Sequence, residues 1–254
     1  MADMTLLEFT DLVCKWENIL AAIVVIILGI LAGIGKNKNV RLLGFAVTAA
    51  SMCALLSQTG MILQTLIDNG SLTEEIYFNN TYNNAVVAAG LASFIIGTLG
   101  RVLIWLYAHK EYGTKIMWCI IVTVSPVIAT FLQIVLRNAL MPDSYEYVQV
   151  QGAFYAANSV GIIVSVAINI IFMNIFRKNS DREKAVPSYW LFHLLLALVI
   201  IITYLMQIGS LHFYGSDSAD SYRLFTNIIG FFIVLVNPAL AVYLFIRQTK
   251  RIEE

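Results

Sequence analysis

Arg101 stands inside the apolar stretch TLGRVLIWLYAHKEY (98–112), where few other charges occur. A guanidinium so placed can hold an oxyanion, pair with a buried acceptor, or run its stem to a membrane surface. The spacing favours the last of these: Trp105 and Tyr107 mark an interface and His109 and Lys110 lie beyond it, so Arg101 reads first as a topology anchor. Asn169 and Asn237, in the same half of their apolar runs, are the partners it would otherwise meet. The remaining chemistry is uncharged. Gln58, Gln133, Asn158, Gln207 and Asn227, with Gln64 beside them, fall in the opposite half of successive apolar runs. Turned inward, the first five would line a polar cavity and bind an amphiphilic ligand. Turned toward a neighbouring helix, each would contribute about 1 kcal/mol or less as packing glue.

Several chemistries lack the residues they need. The three histidines, His109, His193 and His212, sit on different segments, too few and too scattered for a hydrolytic metal centre. No Ser-His-Asp arrangement, glycine-rich phosphate loop or CxxC motif occurs, and the last apolar run has no lysine for a Schiff base. The middles of the first, second, fourth, fifth and seventh runs hold no titratable residue, which argues against a proton relay. The expectation is no catalytic residue, no metal and no cofactor. Cys14, Cys53 and Cys119 fall on separate segments and read as free thiols.

The elements that must position these groups are membrane spans. Of 254 residues, 59% are hydrophobic and only 13% charged, whereas a soluble domain carries roughly 25% charge. Periodicity and length give seven helices, about 18–35, 41–66, 84–108, 114–136, 149–176, 187–212 and 222–246. The predicted fold is all-α, a seven-helix transmembrane bundle over 18–247, with a short extracellular segment at 1–17 and a cytoplasmic tail at 248–254. MADMTLLEFTDLVCKWEN is acidic and lacks the positive start of a cleaved signal. With the N-terminus outside, every Lys and Arg except Lys15, Arg137 and Arg223 falls inside. Among the acids only Glu111, Asp181, Glu183, Glu253 and Glu254 do. The sequons at Asn69 and Asn79 then share one outer loop, and Asn79 is the better glycosylation site because Asn69 lies close to the membrane. Zero net charge gives no case for nucleic acid; the partner is the lipid bilayer, of the plasma membrane or an endomembrane.

Packing signals are plain. Ala153, Ala157, Gly161, Ser165 and Asn169 recur every fourth residue in the fifth helix, Ala89, Ser93 and Gly97 do so in the third, and Gly29 and Gly33 in the first. Such rows let helix backbones approach closely in lipid, within one chain or between copies in a homo-oligomer. Pro126 and Pro238 should bend the fourth and seventh helices.

Rhodopsin-like receptors share the span count, but Gly100 stands where their helix-three acid precedes the arginine, and Ala241 where a tyrosine follows the helix-seven proline. TLGR (98–101), FLQ (131–133) and QG (151–152) occur in the order seen in a fungal seven-helix family of lipid-translocating, drug-resistance-type membrane proteins, which this chain resembles. It departs from that family in the sixth helix, where 194–211 carries no charge against the family's arginine-rich helix. The resemblance implies a protein that moves or senses lipids or lipophilic toxins. The functional expectation is therefore non-enzymatic binding, sensing or translocation of a lipid-like molecule. Its alternatives are a signalling receptor using the basic segment 177–184 and a structural membrane subunit.

Overall fold

The first helix starts well before the apolar run that defines it. Glu8 Oε2 accepts the Thr5 N–H at 2.8 Å, while Thr5 Oγ1 accepts the Glu8 N–H at 3.3 Å. This reciprocal capping box satisfies two amides that a helix start leaves orphaned, and α1 runs from Leu6 to Ile34. Residues 6–17, expected as a short extracellular segment, are helical and continuous with the first apolar run; the T-x-x-E string at 5–8 was the signal for the earlier helix start.

The structure is a computed structural model that describes residues 5–68, 70–72, 81–141, 147–179 and 189–250. After α1 come α2 (Lys38–Ser57), α3 (Thr59–Asp68), α4 (Thr81–Tyr112), α5 (Ile116–Leu140), α6 (Tyr147–Lys178), α7 (Tyr189–His212), α8 (Ala219–Val234) and α9 (Val236–Lys250). No strand occurs among the described residues. Seven segments are long and apolar enough to cross a membrane: Leu6–Ile34, Val40–Ser57, Thr81–Tyr112, Ile116–Leu140, Tyr147–Lys178, Tyr189–His212 and Ala219–Gln248. The predicted all-α, seven-helix class is therefore what the chain adopts.

Two expected helices are broken, each for a local reason. Ser57 Oγ donates to the Ala54 carbonyl at 2.6 Å and Thr59 Oγ1 to the Leu56 carbonyl at 2.7 Å, and these bonds compete with the helix ladder around Gln58. Pro238 has no N–H for the Val234 carbonyl, and α8 ends at that residue. Pro126 interrupts nothing: α5 continues through it. α4 runs past the expected end at 108 until Gly113, whose φ of 63° lets the chain turn out of the helix.

The chain packs as two units. The first comprises Met1–Cys14 and Tyr107–Ile233. In it α6 packs along both α7 and α5, and Ala153 and Ala157 of the small-residue row are buried. Its densest part is a cluster of rings. Tyr112 and Phe176 lie 4.6 Å apart, Phe176 and Tyr189 5.0 Å, and Tyr189 and His193 4.7 Å between centroids.

The second unit comprises Lys15–Leu106 and Val234–Glu254. α9 packs on α2. α1 and α2 meet at three glycines: a methyl group on Gly44 would lie 2.7 Å from the Gly33 nitrogen and 2.8 Å from the Gly29 oxygen. The small-residue spacing of the first helix thus has its close approach.

Candidate functional site

A band of neutral polar groups crosses α5, α6 and α7 in the first unit. Gln133 Nε2 donates to the Asn158 carbonyl at 3.5 Å. Its carboxamide occupies the space beside Gly161 that any Cβ would fill, so the row of small residues on α6 makes room for a side chain as well as a backbone. The Asn158 amide itself is exposed. One residue on, the Ser159 and Tyr204 hydroxyls share a short hydrogen bond, and both reach the Tyr155 carbonyl, at 3.1 and 3.2 Å. Gln133 thus meets the backbone of Asn158 rather than its side chain, beside two hydroxyls that the sequence pattern did not flag.

The other amides are engaged elsewhere. Asn227 Nδ2 donates to Asp11 Oδ1 at 2.7 Å and to Thr10 Oγ1 at 3.2 Å, so it ties the start of α1 to α8. Arg223 adds an ion pair to Asp11 at 2.8 Å. Gln207 is exposed on α7. Gln58, at the α2–α3 break, donates to Ser57 Oγ at 3.4 Å, and Gln64 donates to Asp68 Oδ1 at 2.9 Å.

Asn169 is engaged within the first unit. Its amide donates to the Ser165 carbonyl at 2.8 Å, and its oxygen lies 3.0 Å from His193 Nδ1. His193 is buried between Phe172, Phe176 and Tyr189, and its Nε2 has no hydrogen-bond partner among the described residues. Asn237 is exposed on α9.

In the second unit Arg101 leans back along its own helix. Its Nη2 lies 4.0 Å from where a Gly97 methyl would sit, one turn back toward the start of α4. Helical side chains lean toward the N-terminal end of their helix, so an arginine near the far end reaches inward. Nη1 is covered and has no hydrogen-bond partner among the described residues. Cys53 Sγ, 3.4 Å from the same methyl position, donates to the Ser93 carbonyl at 3.1 Å. Glu17 on α1 is a second orphan, with both carboxylate oxygens covered and without a hydrogen-bond partner among the described residues. A charge set in hydrocarbon costs roughly 2.5–3.5 kcal/mol even with some relief, so unpartnered charges in membrane helices point to function.

Gln248 escaped the sequence reading because it lies in a stretch that reads as a polar tail. α9 extends to Lys250, and Gln248 is buried. Its Nε2 donates to the Ala32 carbonyl at 2.6 Å and its Oε1 accepts the Asn37 N–H at 2.8 Å, clamping the α1–α2 turn.

Asn69 and Asn79 lie outside the described residues, as does 180–184 of the basic segment. Cys14, Cys53 and Cys119 form no disulfide among the described residues. Among the described residues no three His, Cys, Asp or Glu side chains gather as a metal site would require.

Seven apolar helices make this chain an integral multi-pass membrane protein of the all-α class. No family model, curated protein or solved structure matches it.

Proposed function

We propose that this chain is a non-enzymatic membrane protein that binds, senses or translocates a lipophilic or lipid-like small molecule. The observation that carries the reading is the uncharged polar band of Gln133, Asn158, Ser159 and Tyr204 within apolar helices. Such a band offers donors and acceptors to an amphiphile's polar part without a titratable group. The exposed Asn158 amide is the element of it free to meet a ligand. The strings TLGR, FLQ and QG, shared in order with the fungal lipid-translocating family, support the same reading. The charge distribution supports an outside N-terminus and a cytoplasmic C-terminus.

The test is untargeted lipid and metabolite identification on the detergent-purified protein, beside a Gln133→Leu/Asn158→Leu variant. An amphiphile enriched over the bulk membrane in the parent protein and several-fold depleted in the variant is the expected result. Equal recovery from both, or no enrichment at all, overturns the reading.

A further inference from the structure

We propose that Arg101 is an anion site at mid-depth of α4, and that it takes the phosphate of an acidic lipid-like molecule. The inference rests on the ligand reading above and adds the charge of the ligand's head.

The geometry begins with depth. At 1.5 Å per residue, Gly97 lies about 24 Å from the Thr81 end of α4 and about 22 Å from the Tyr112 end. The guanidinium beside Gly97 is therefore level with the middle of the helix, a turn further from the Trp105–Tyr107 end than its own backbone. Arginine does not shed its proton in a protein, so it cannot escape the cost by becoming neutral.

Among the described residues no acceptor meets the covered Nη1. Cys53 is a thiol already donating to Ser93. Asp68 accepts from Gln64. Glu17 has no hydrogen-bond partner for either oxygen among the described residues, so the two orphan charges do not neutralise each other. The missing acceptor must come from outside the described residues. A planar guanidinium presents parallel N–H groups, which match two oxygens of a phosphate. A phosphate carried on an apolar tail can reach this depth at far lower cost than a bare ion. Gly97 puts no side chain of its own beside the guanidinium.

The test uses the full chain in nanodiscs of an equimolar mixture of phosphatidylglycerol and phosphatidylcholine, with retained lipids counted by native mass spectrometry. The unmodified protein should retain phosphatidylglycerol preferentially. Arg101→Gln should lose that preference about tenfold while still retaining phosphatidylcholine, and Arg101→Lys, which keeps charge but not the fork, should fall between. Because Arg101→Lys preserves the charge, it reads the site even if Arg101→Gln folds poorly. A parallel arm adds inorganic phosphate at millimolar concentration. Displacement of phosphatidylglycerol by it confirms the anion site and assigns its occupant to solution, whereas no displacement confirms the lipid-borne head. Retention of both lipids without preference, unchanged in Arg101→Gln, overturns the anion site and leaves the ligand reading standing. Retention of neither lipid above detergent background overturns both.

Discussion

Asn169 Oδ1 lies 3.0 Å from His193 Nδ1, and the same amide donates its N–H to the Ser165 carbonyl. The second bond fixes the orientation of the first. With its NH2 group committed to Ser165, Asn169 presents an acceptor to the imidazole, so Nδ1 carries the proton and Nε2 is a bare lone pair. That lone pair is buried among aromatic rings with no donor among the described residues.

Removing one partner should therefore cost more than removing both. Asn169→Leu strands the Nδ1–H in a ring-lined site and is expected to lower stability by about 1–3 kcal/mol. The double variant Asn169→Leu/His193→Phe replaces both groups with apolar shapes among Phe172, Phe176 and Tyr189. It should return most of that loss. Unfolding in mixed micelles, read for the parent, both singles and the double, gives the coupling directly. A double variant that is worse than the sum of the singles would show that His193 serves something beyond this pair.

How much of this was legible in the sequence depends on the range of the interaction. The spans were legible because roughly 20 apolar residues in a row admit few other fates. The α6 row of small residues was legible because a period of four is local. The Asn169–His193 bond joins separate helices, and nothing in either local string marks the other as its partner. Gln248 was misread for a related reason: RQTKRIEE is polar, and polarity alone does not show that the first amide of the string folds back on the α1–α2 turn. The direction of the Arg101 side chain was not legible in the string. Its distance from the rim suggested a stem running outward, whereas the backward lean of helical side chains sends it to Gly97.

Glycine substitutions should separate the helix contact from generic helix propensity. Gly44→Ala places a methyl against the Gly33 nitrogen and the Gly29 oxygen, which are backbone atoms and cannot swing aside. The expected loss is at least about 1–3 kcal/mol, with reduced folded yield. Gly90→Ala and Gly230→Ala meet nothing within 4 Å, so helix propensity alone should make them neutral or more stable by up to about 1 kcal/mol. Size-exclusion profiles and thermal midpoints of the three variants decide it. Equal behaviour of Gly44→Ala and Gly90→Ala would remove the close α1–α2 approach from the account.

The clamp at Gln248 should matter far more than its place near the C-terminus suggests. Gln248→Ala deletes two buried hydrogen bonds and leaves the Ala32 carbonyl and Asn37 N–H to find other partners, a loss of about 1–3 kcal/mol. Arg247→Ala, one residue away, should change stability by less than about 0.5 kcal/mol, as substitutions away from such features usually do. Limited proteolysis at the α1–α2 turn gives a second readout, since loss of the clamp should loosen the backbone at the exposed Lys36 and Lys38 and speed their cleavage by trypsin. Equal stability and equal cleavage of the two variants would show that the clamp does not hold the turn.

At the start of α1, the amide and the ion pair should behave differently toward salt. The Arg223 side chain is 61% exposed in its pair with Asp11, so Arg223→Gln should cost no more than about 1 kcal/mol and the cost should shrink as salt is added. Asn227→Ala removes the bonds to both Asp11 and Thr10 and should cost more, with little salt dependence. Stability measured at low and high sodium chloride separates the two. A salt-insensitive Arg223 effect larger than that of Asn227 would reverse the assignment of which residue fixes the N-terminal turn.

Glu17 supplies the sharpest test of whether an orphan charge in these helices is a fault or a device. Both of its oxygens are covered, and neither has a hydrogen-bond partner among the described residues. If the carboxylate only bears a desolvation cost, Glu17→Gln keeps the shape, removes the charge, and should raise stability by about 1 kcal/mol or more. Glu17→Leu should do the same or better. A loss of stability on Glu17→Gln would instead mean that the charge has a partner supplied from outside the described residues. Repeating the measurement across added sodium, potassium and calcium would then show whether that partner is a cation, since a bound ion stabilises the parent protein in proportion to its concentration and leaves the glutamine variant unmoved.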